Sequence, residues 1–298
     1  KFCICKWYRV LEAGHLLGLL ISGKGGNMGI KLVAIDLDDT LLNSGLQISP
    51  QCKAAIHQVK EKGVIVTLAT GRMFVSALPY ARQLESVRDI PIITYQGALV
   101  KCSNSGDVFY YRPLPKDKAV EIMQYFKKSK VHFQAYFNDQ LCMESLTEEG
   151  EEYSHLAGVE PVIIKDLIGE ASRQESCKIL AVIENEKLLL DMEMELRGIY
   201  TRELNITRSK PYYLEVMDAR ANKGDALKVI AEHYGIDRKE VLAIGDSYND
   251  MAMIEWAGIG VAMGNARKSV KETADYITAS NEEEGVAEAL HRFILSPR

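Results

Sequence analysis

The chain has 298 residues, 47% hydrophobic and 26% charged, with a formal net charge of −5. That is ordinary for a soluble protein of two domains and argues against a nucleic-acid partner. Six cysteines (Cys3, Cys5, Cys52, Cys102, Cys142 and Cys177) lack C-x-x-C spacing, which argues against zinc and a disulfide scaffold and favours a reducing cytoplasm.

Residues 1–26 carry an apolar patch at 16–21 that is too short to cross a bilayer, and no A-x-A-like cleavage site follows it. Residues 1–27 are therefore expected to be an extension outside the fold, with Met28 as the natural start. The glycines of GKGGNMG precede a strand instead of following one, so a dinucleotide fingerprint lacks its context. The apolar run 32–35 predicts a strand buried on both faces. It ends in Asp36, Asp38 and Asp39. On an extended path Asp36 and Asp38 would share one face and Asp39 would take the other. Two carboxylates converging there repel unless a cation lies between them.

Ser49 and Pro50 predict a helix N-terminus, with the helix running to 62 and Gly63 closing it. A second buried strand, 64–69, ends in Thr70, Gly71 and Arg72. A helix over 72–85, a strand over 92–95 and a hairpin of 98–101 with 108–111 follow. This β-α-β-α-β order requires a parallel sheet. The rhythm then changes. A helix over 117–128, a hairpin of 131–137 with 141–143, a helical piece over 148–156, a strand over 177–183, a helix over 186–198 and a strand over 199–207 make an α+β block. The first rhythm resumes with strand 213–217, helix 223–234 and strand 241–244, which ends in Gly245 and Asp246. Helix 250–257, strands 259–262 and 274–278, and helix 286–293 close the chain. The expected class is α/β: a doubly wound, Rossmann-like core over 28–112 and 211–298 with an α+β domain inserted at 113–210.

Four pieces fall at the ends of these elements: DLDDT from Asp36, TGR from Thr70, NKGDA around Lys223 and GDSYNDM around Asp246. In this order they resemble the four motifs of the haloacid dehalogenase-like phosphatases, and the insertion resembles the type IIB cap of the Cof-type subfamily. The resemblance spans 28–298. The residues also make chemical sense alone. Asp36 suits a nucleophile that takes the phosphoryl group as an aspartyl-phosphate. Asp38 suits the acid that protonates the leaving alcohol and the base that then activates water. Thr70 offers a hydroxyl and an N–H to phosphate, beside a helix N-terminus near Arg72; a plain N-cap is its structural alternative. Lys223 opens a helix, a poor place for a cation unless an anion faces it.

The resemblance implies that Lys223 pairs with the nucleophile and the phosphate. It likewise implies that Thr70, Gly71, Arg72 and Asn249 contact phosphate or substrate, and that Asp250 supports a metal. Hard carboxylates without His or Cys nearby suit Mg2+, held by Asp36, the Asp38 carbonyl and Asp246. Two departures stand out: Asp39 where many relatives have glycine, and Gln96-Gly97 where Asn-Gly is common. His57, His132, His155, His233 and His291 show no ligand spacing, and Tyr110, Tyr111, Tyr212 and Tyr213 are expected to pack near the domain junction. The expected activity is magnesium-dependent hydrolysis of a small phosphorylated metabolite, a sugar phosphate by default. A phosphomutase and a non-catalytic sensor are the alternatives. No nucleic-acid or membrane partner is expected, and the protein is expected to be a monomer or weak homodimer.

Overall fold

The computed structural model describes residues 29–84 and 89–296. The expected extension at 1–27, the start at Met28 and the helix end expected at 85 lie outside the described residues. The chain runs β1 (Leu32–Asp36), α1 (Pro50–Glu61), β2 (Ile65–Ala69), α2 (Phe74–Gln83), β3 (Pro91–Thr94), β4 (Leu99–Cys102) and β5 (Val108–Tyr111). It continues through α3 (Lys116–Lys128), β6 (His132–Phe137), β7 (Gln140–Met143), α4 (Glu148–Ala157), β8 (Val162–Ile163), α5 (Leu167–Arg173), β9 (Ser176–Val182), α6 (Glu186–Ile199), β10 (Leu204–Thr207) and β11 (Tyr213–Asp218). It ends with α7 (Lys223–His233), β12 (Val241–Gly245), α8 (Met251–Trp256), β13 (Ile259–Ala262), α9 (Lys268–Thr273), β14 (Tyr276–Ile277) and α10 (Gly285–Leu290).

The first sheet has eight strands in the order β14-β13-β12-β1-β2-β3-β4-β5. It is parallel from β14 to β3, and β4 and β5 are added antiparallel. Every residue of β1 is buried because both faces are covered. Val33 and Ile35 pack with residues of α1, α2 and α10, while Leu32 and Ala34 pack with residues of α7 and α8. The side-chain period of two thus feeds two apolar layers from one continuous apolar run. β1 lies between β2, the next strand in the chain, and β12, which the chain reaches only after the inserted sheet. The crevice beyond their carboxyl ends is where such sheets place ligands.

The second sheet has six strands in the order β10-β11-β9-β6-β7-β8. Its position corrects one expectation. Strand 213–217 was assigned to the core, but β11 pairs antiparallel with β9, Leu214 opposite Ala181 and Val216 opposite Ile179. The inserted sheet therefore keeps the chain until Asp218. Two short helices, α5 and α9, and the two-residue strand β8 were not expected. Each is short, and α5 starts on the side chain of Asp166, which accepts from the Gly169 N–H. Asn138 and Asp139, at the tip of the β6–β7 hairpin, take φ of 51° and 61°, the left-handed values that a tight hairpin turn requires.

Candidate active site

The extended path expected beyond Asp36 does not occur. Leu37–Leu41 coils at once, with Asp38 at φ −79°, ψ 132° and Asp39 at φ 59°, ψ 9°. The turn brings Asp36, Asp38 and Asp39 to one cavity of about 170 Å³, which Gly71, Arg72, Asp246 and Asn249 also line. Asp39 does not face away, as period two had predicted. Its left-handed backbone explains why glycine suits this position, and aspartate is one of the few other residues that tolerate it. Its carboxylate meets Lys210 Nζ at 3.0 Å.

Lys223, at the first position of α7, is wholly buried. Its Nζ donates to Asp36 Oδ1 at 2.5 Å and to Asp250 Oδ1 at 2.6 Å. Burial acts against the ammonium, but Asp250 and Asp36 outweigh it and keep the lysine above its ordinary pKa. Asp250 spends its other oxygen on the N–H groups of Asp246 and Ser247, each at 3.0 Å. Asp36 lies well above the carboxylate range, first through burial and then through Asp250. Asp246 is pushed up to about 7 by burial and Asp250, against the Thr40 hydroxyl that donates to it at 3.0 Å.

Asp36, Asp246 and Asp250 can each offer a carboxylate oxygen within 4.8 Å of the others. This crowd of hard oxygen donors fits magnesium, and a divalent cation would relieve the repulsion that raises Asp36 and Asp246. Both oxygens of Asp250 already have partners, so it fits the supporting role better than direct ligation.

The cluster predicts a pH dependence. The folded-state pKa of Asp246 lies above its ordinary 3.8, so the folded protein holds protons that the unfolded chain has released. That stabilisation is complete below the ordinary value and lost as pH rises through about 7. Metal-free protein should lose at least about 5 °C in Tm between pH 5 and pH 8. Magnesium at pH 8 should restore most of it. A melting curve in chelator that is flat or rises over this range would contradict the geometry.

The Thr70 N–H and the helix N-terminus after it, both expected from the sequence to face phosphate, are already engaged. The Thr70 N–H donates to the Ile93 carbonyl at 2.9 Å, continuing the β2–β3 ladder, and Thr70 Oγ1 accepts from the Arg72 N–H at 3.1 Å. Of the two Thr70 donors, the hydroxyl proton remains for a ligand. Helix α2 starts at Phe74, and its first N–H groups, on Phe74 and Val75, donate to Asp139 at 3.0 and 2.9 Å. Tyr95 also donates its hydroxyl to Asp139 at 2.6 Å. A carboxylate of the inserted sheet's hairpin thus occupies the helix N-terminus expected to face phosphate, and ties that sheet to the core. Arg72 turns to Asp38, with Nη2 2.6 Å from Oδ1 and Nε 3.0 Å from Oδ2.

Sequence reasoning passed over Lys178 and Glu215, both 1% exposed. They form an ion pair at 2.6 Å in the wall of the same cavity. The signal was present: a lysine inside 177–183 and a glutamate inside 213–217, two runs otherwise fit for burial, demand partners. Tyr213, expected to pack at the junction, lines the cavity with Tyr153, Leu46 and Leu156.

Residues 33–290 match the haloacid dehalogenase-like hydrolase family. The chain is 34% identical over 270 residues to the 5-amino-6-(5-phospho-D-ribitylamino)uracil phosphatase YcsE of Bacillus subtilis, covering 90% of this chain and 98% of that one. It is 32% identical over 272 residues to the putative phosphatase YxeH of the same organism, covering 89% and 99%. Among solved structures, a haloacid dehalogenase-like hydrolase from Bacteroides thetaiotaomicron superposes with a TM-score of 0.80 at 32% identity, covering 88% of this chain and 99% of that one.

Proposed function

We propose, since the chain belongs to the haloacid dehalogenase-like hydrolases and is a phosphoric monoester hydrolase of the Cof type, that it cleaves a small phosphate monoester through an aspartyl-phosphate on Asp36. The observation that carries this reading is the buried Asp36–Lys223–Asp250 cluster beside Asp246, at the carboxyl ends of β1 and β12. Lys223 holds Asp36 Oδ1 and leaves Oδ2 to attack phosphorus. As the bond to the leaving oxygen breaks, Asp38 gives that oxygen its proton. Asp38 then takes a proton from the water that attacks the aspartyl-phosphate, and inorganic phosphate departs with Asp36 regenerated. Magnesium held by Asp36, Asp246 and the Asp38 carbonyl would offset the charge on the transferring group. Arg72 must release Asp38 before either proton transfer, and a substrate phosphate is the anion that can draw it away.

The wall of Tyr153, Tyr213, Leu46, Leu156 and Ala157 favours a leaving group with a flat or apolar part over a bare hexose. The substrate of YcsE, a ribityl phosphate carrying a pyrimidine, has that character. This replaces the sugar-phosphate default with polyol phosphates that carry a ring.

Release of inorganic phosphate from a panel of monoesters tests the reading, since a phosphomutase would yield little and a sensor none. Asp38→Ala should lower kcat by roughly 10²–10⁴ for an alkyl phosphate. The loss should be much smaller for p-nitrophenyl phosphate, whose leaving group needs no proton. Equal losses on both substrates would remove Asp38 from the acid role.

A further inference from the structure

A single file of polar side chains joins the inserted sheet to the phosphate end of the core. Lys178 on β9 donates from Nζ to Glu215 Oε1 on β11 at 2.6 Å and to the Gly71 carbonyl at 3.0 Å. Gln96 donates from Nε2 to Glu215 Oε2 at 2.7 Å. Asn249 donates from Nδ2 to Gln96 Oε1 at 2.7 Å. Gln96 is 1% exposed and held at φ 58°, and a Cβ on Gly71 would collide with its amide, so the glycine at 71 makes the space in which that amide lies. Asn249 Oδ1 is buried and has no hydrogen-bond partner among the described residues.

The direction of this file follows from its first member. A carboxylate paired with an ammonium only accepts. Gln96 must therefore turn its NH2 to Glu215 and its carbonyl to Asn249. Asn249 must in turn give its NH2 to Gln96, which leaves Oδ1 as the atom facing no donor among the described residues. An amide turned the other way would set acceptor against acceptor or donor against donor.

We infer that Glu215 is a positioning residue, which through Gln96 fixes the amide orientation of Asn249 and so presents an acceptor, Oδ1, to a donor arriving with the phosphate ligand or its water. The inference rests on the proposed function only in taking Asn249 as part of the phosphate site. It makes the inserted sheet a determinant of the hydrogen-bonding pattern in the core.

The test is an exchange of residues. In Glu215→Gln, Lys178 keeps the carbonyl of the introduced amide, so its NH2 meets Gln96 and every amide down the file reverses. kcat/KM for p-nitrophenyl phosphate should fall about 10–100-fold, the effect of mispairing one buried polar group. The Kd for inorganic phosphate, from calorimetry, should rise in parallel. Adding Gln96→Glu puts an acceptor-only group at 96, which restores the Asn249 orientation at unchanged net charge. The E215Q/Q96E variant should recover to within about threefold of the parent protein. A merely structural role for Glu215 predicts the opposite, with the double variant no better than E215Q. Either that result in a cooperatively melting double variant, or an E215Q variant that keeps parent kcat/KM, overturns the inference.

Thermal stability supplies an arm independent of activity and of the folding of the exchange variant. Asn249→Asp sets a carboxylate against the Gln96 carbonyl, and E215Q relieves that clash by reversing Gln96. N249D should therefore lower the Tm less in an E215Q background than in the parent protein, and an equal or larger fall there overturns the relay. If the parent neither hydrolyses nor binds phosphate, the proposed function fails, and the melting comparison still decides the relay.

Discussion

Asp36→Asn should reduce kcat by about 10⁴–10⁶, the scale of removing a nucleophile, while leaving a protein that melts no lower than the parent at pH 8. The two halves of this result have separate causes. An amide cannot form the acyl-phosphate, so the covalent route closes. The side chain it replaces is also the most crowded carboxylate of the site, raised well above its ordinary pKa by burial and by Asp250. Removing that charge relieves repulsion with Asp250 and Asp246, and Lys223 keeps Asp250 as a partner. Phosphate release and melting temperature on the same sample check both halves. An active Asp36→Asn protein would sink the nucleophile assignment. An inactive one with a sharply lowered Tm would make Asp36 a structural anchor of Lys223 instead.

Lys223→Ala should act in the opposite sense on stability. The ammonium is wholly buried and is shared by two carboxylates that are themselves buried. Removing one partner of a buried ionic cluster costs about 3–5 kcal/mol, because the remaining charges lose their compensation. A protein of this size should then melt roughly 6–20 °C lower. The loss should be smaller at pH 5, where Asp36 and Asp246 take up protons more readily than ordinary carboxylates and so soften the repulsion. Activity should fall about 10²–10³-fold, because Lys223 both orients Asp36 and faces the charge that develops on phosphate. Lys223→Arg should not rescue either property, since a wholly buried site has no room for the larger fork. Melting curves at pH 5 and pH 8 check the sign. A Lys223→Ala protein as stable as the parent at pH 8 would mean that the carboxylates are already protonated there.

The residue pattern was most legible where one segment carries its own reason. The run before Asp36 has no polar face to show to water, so only a strand covered on both sides suits it, and β1 is such a strand. Ser49 followed by Pro50 predicted a helix start, and Ser49 Oγ accepts from the Cys52 N–H at 3.0 Å. Lys223 at a helix start announced a facing anion, and the structure supplies two. Each of these readings needs only neighbours in sequence or a single electrostatic demand.

The boundary of the inserted domain failed for a complementary reason. Apart from Glu215 and Asp218, strand β11 has the composition of any buried strand, and its membership is decided by pairing with β9 at Leu214–Ala181 and Val216–Ile179. Nothing local records that choice. The coiling of Leu37–Leu41, which turns Asp39 into the cavity, likewise depends on a left-handed residue in a segment whose sequence reads as extended.

The order of the main elements and the burial of the central strands followed from the sequence by itself, because periodicity and charge are properties of the chain read in a line, and the type of chemistry followed from the order and resemblance of four short motifs. Only the tertiary structure decided which donors remain for a ligand. Thr70 and the start of α2 give theirs to Ile93 and Asp139, Arg72 closes on Asp38, and Gln96 joins Glu215 to Asn249. A buried polar group must find a partner somewhere, and the partners available to these residues are set by segments 23 to 153 positions away, brought together only by folding.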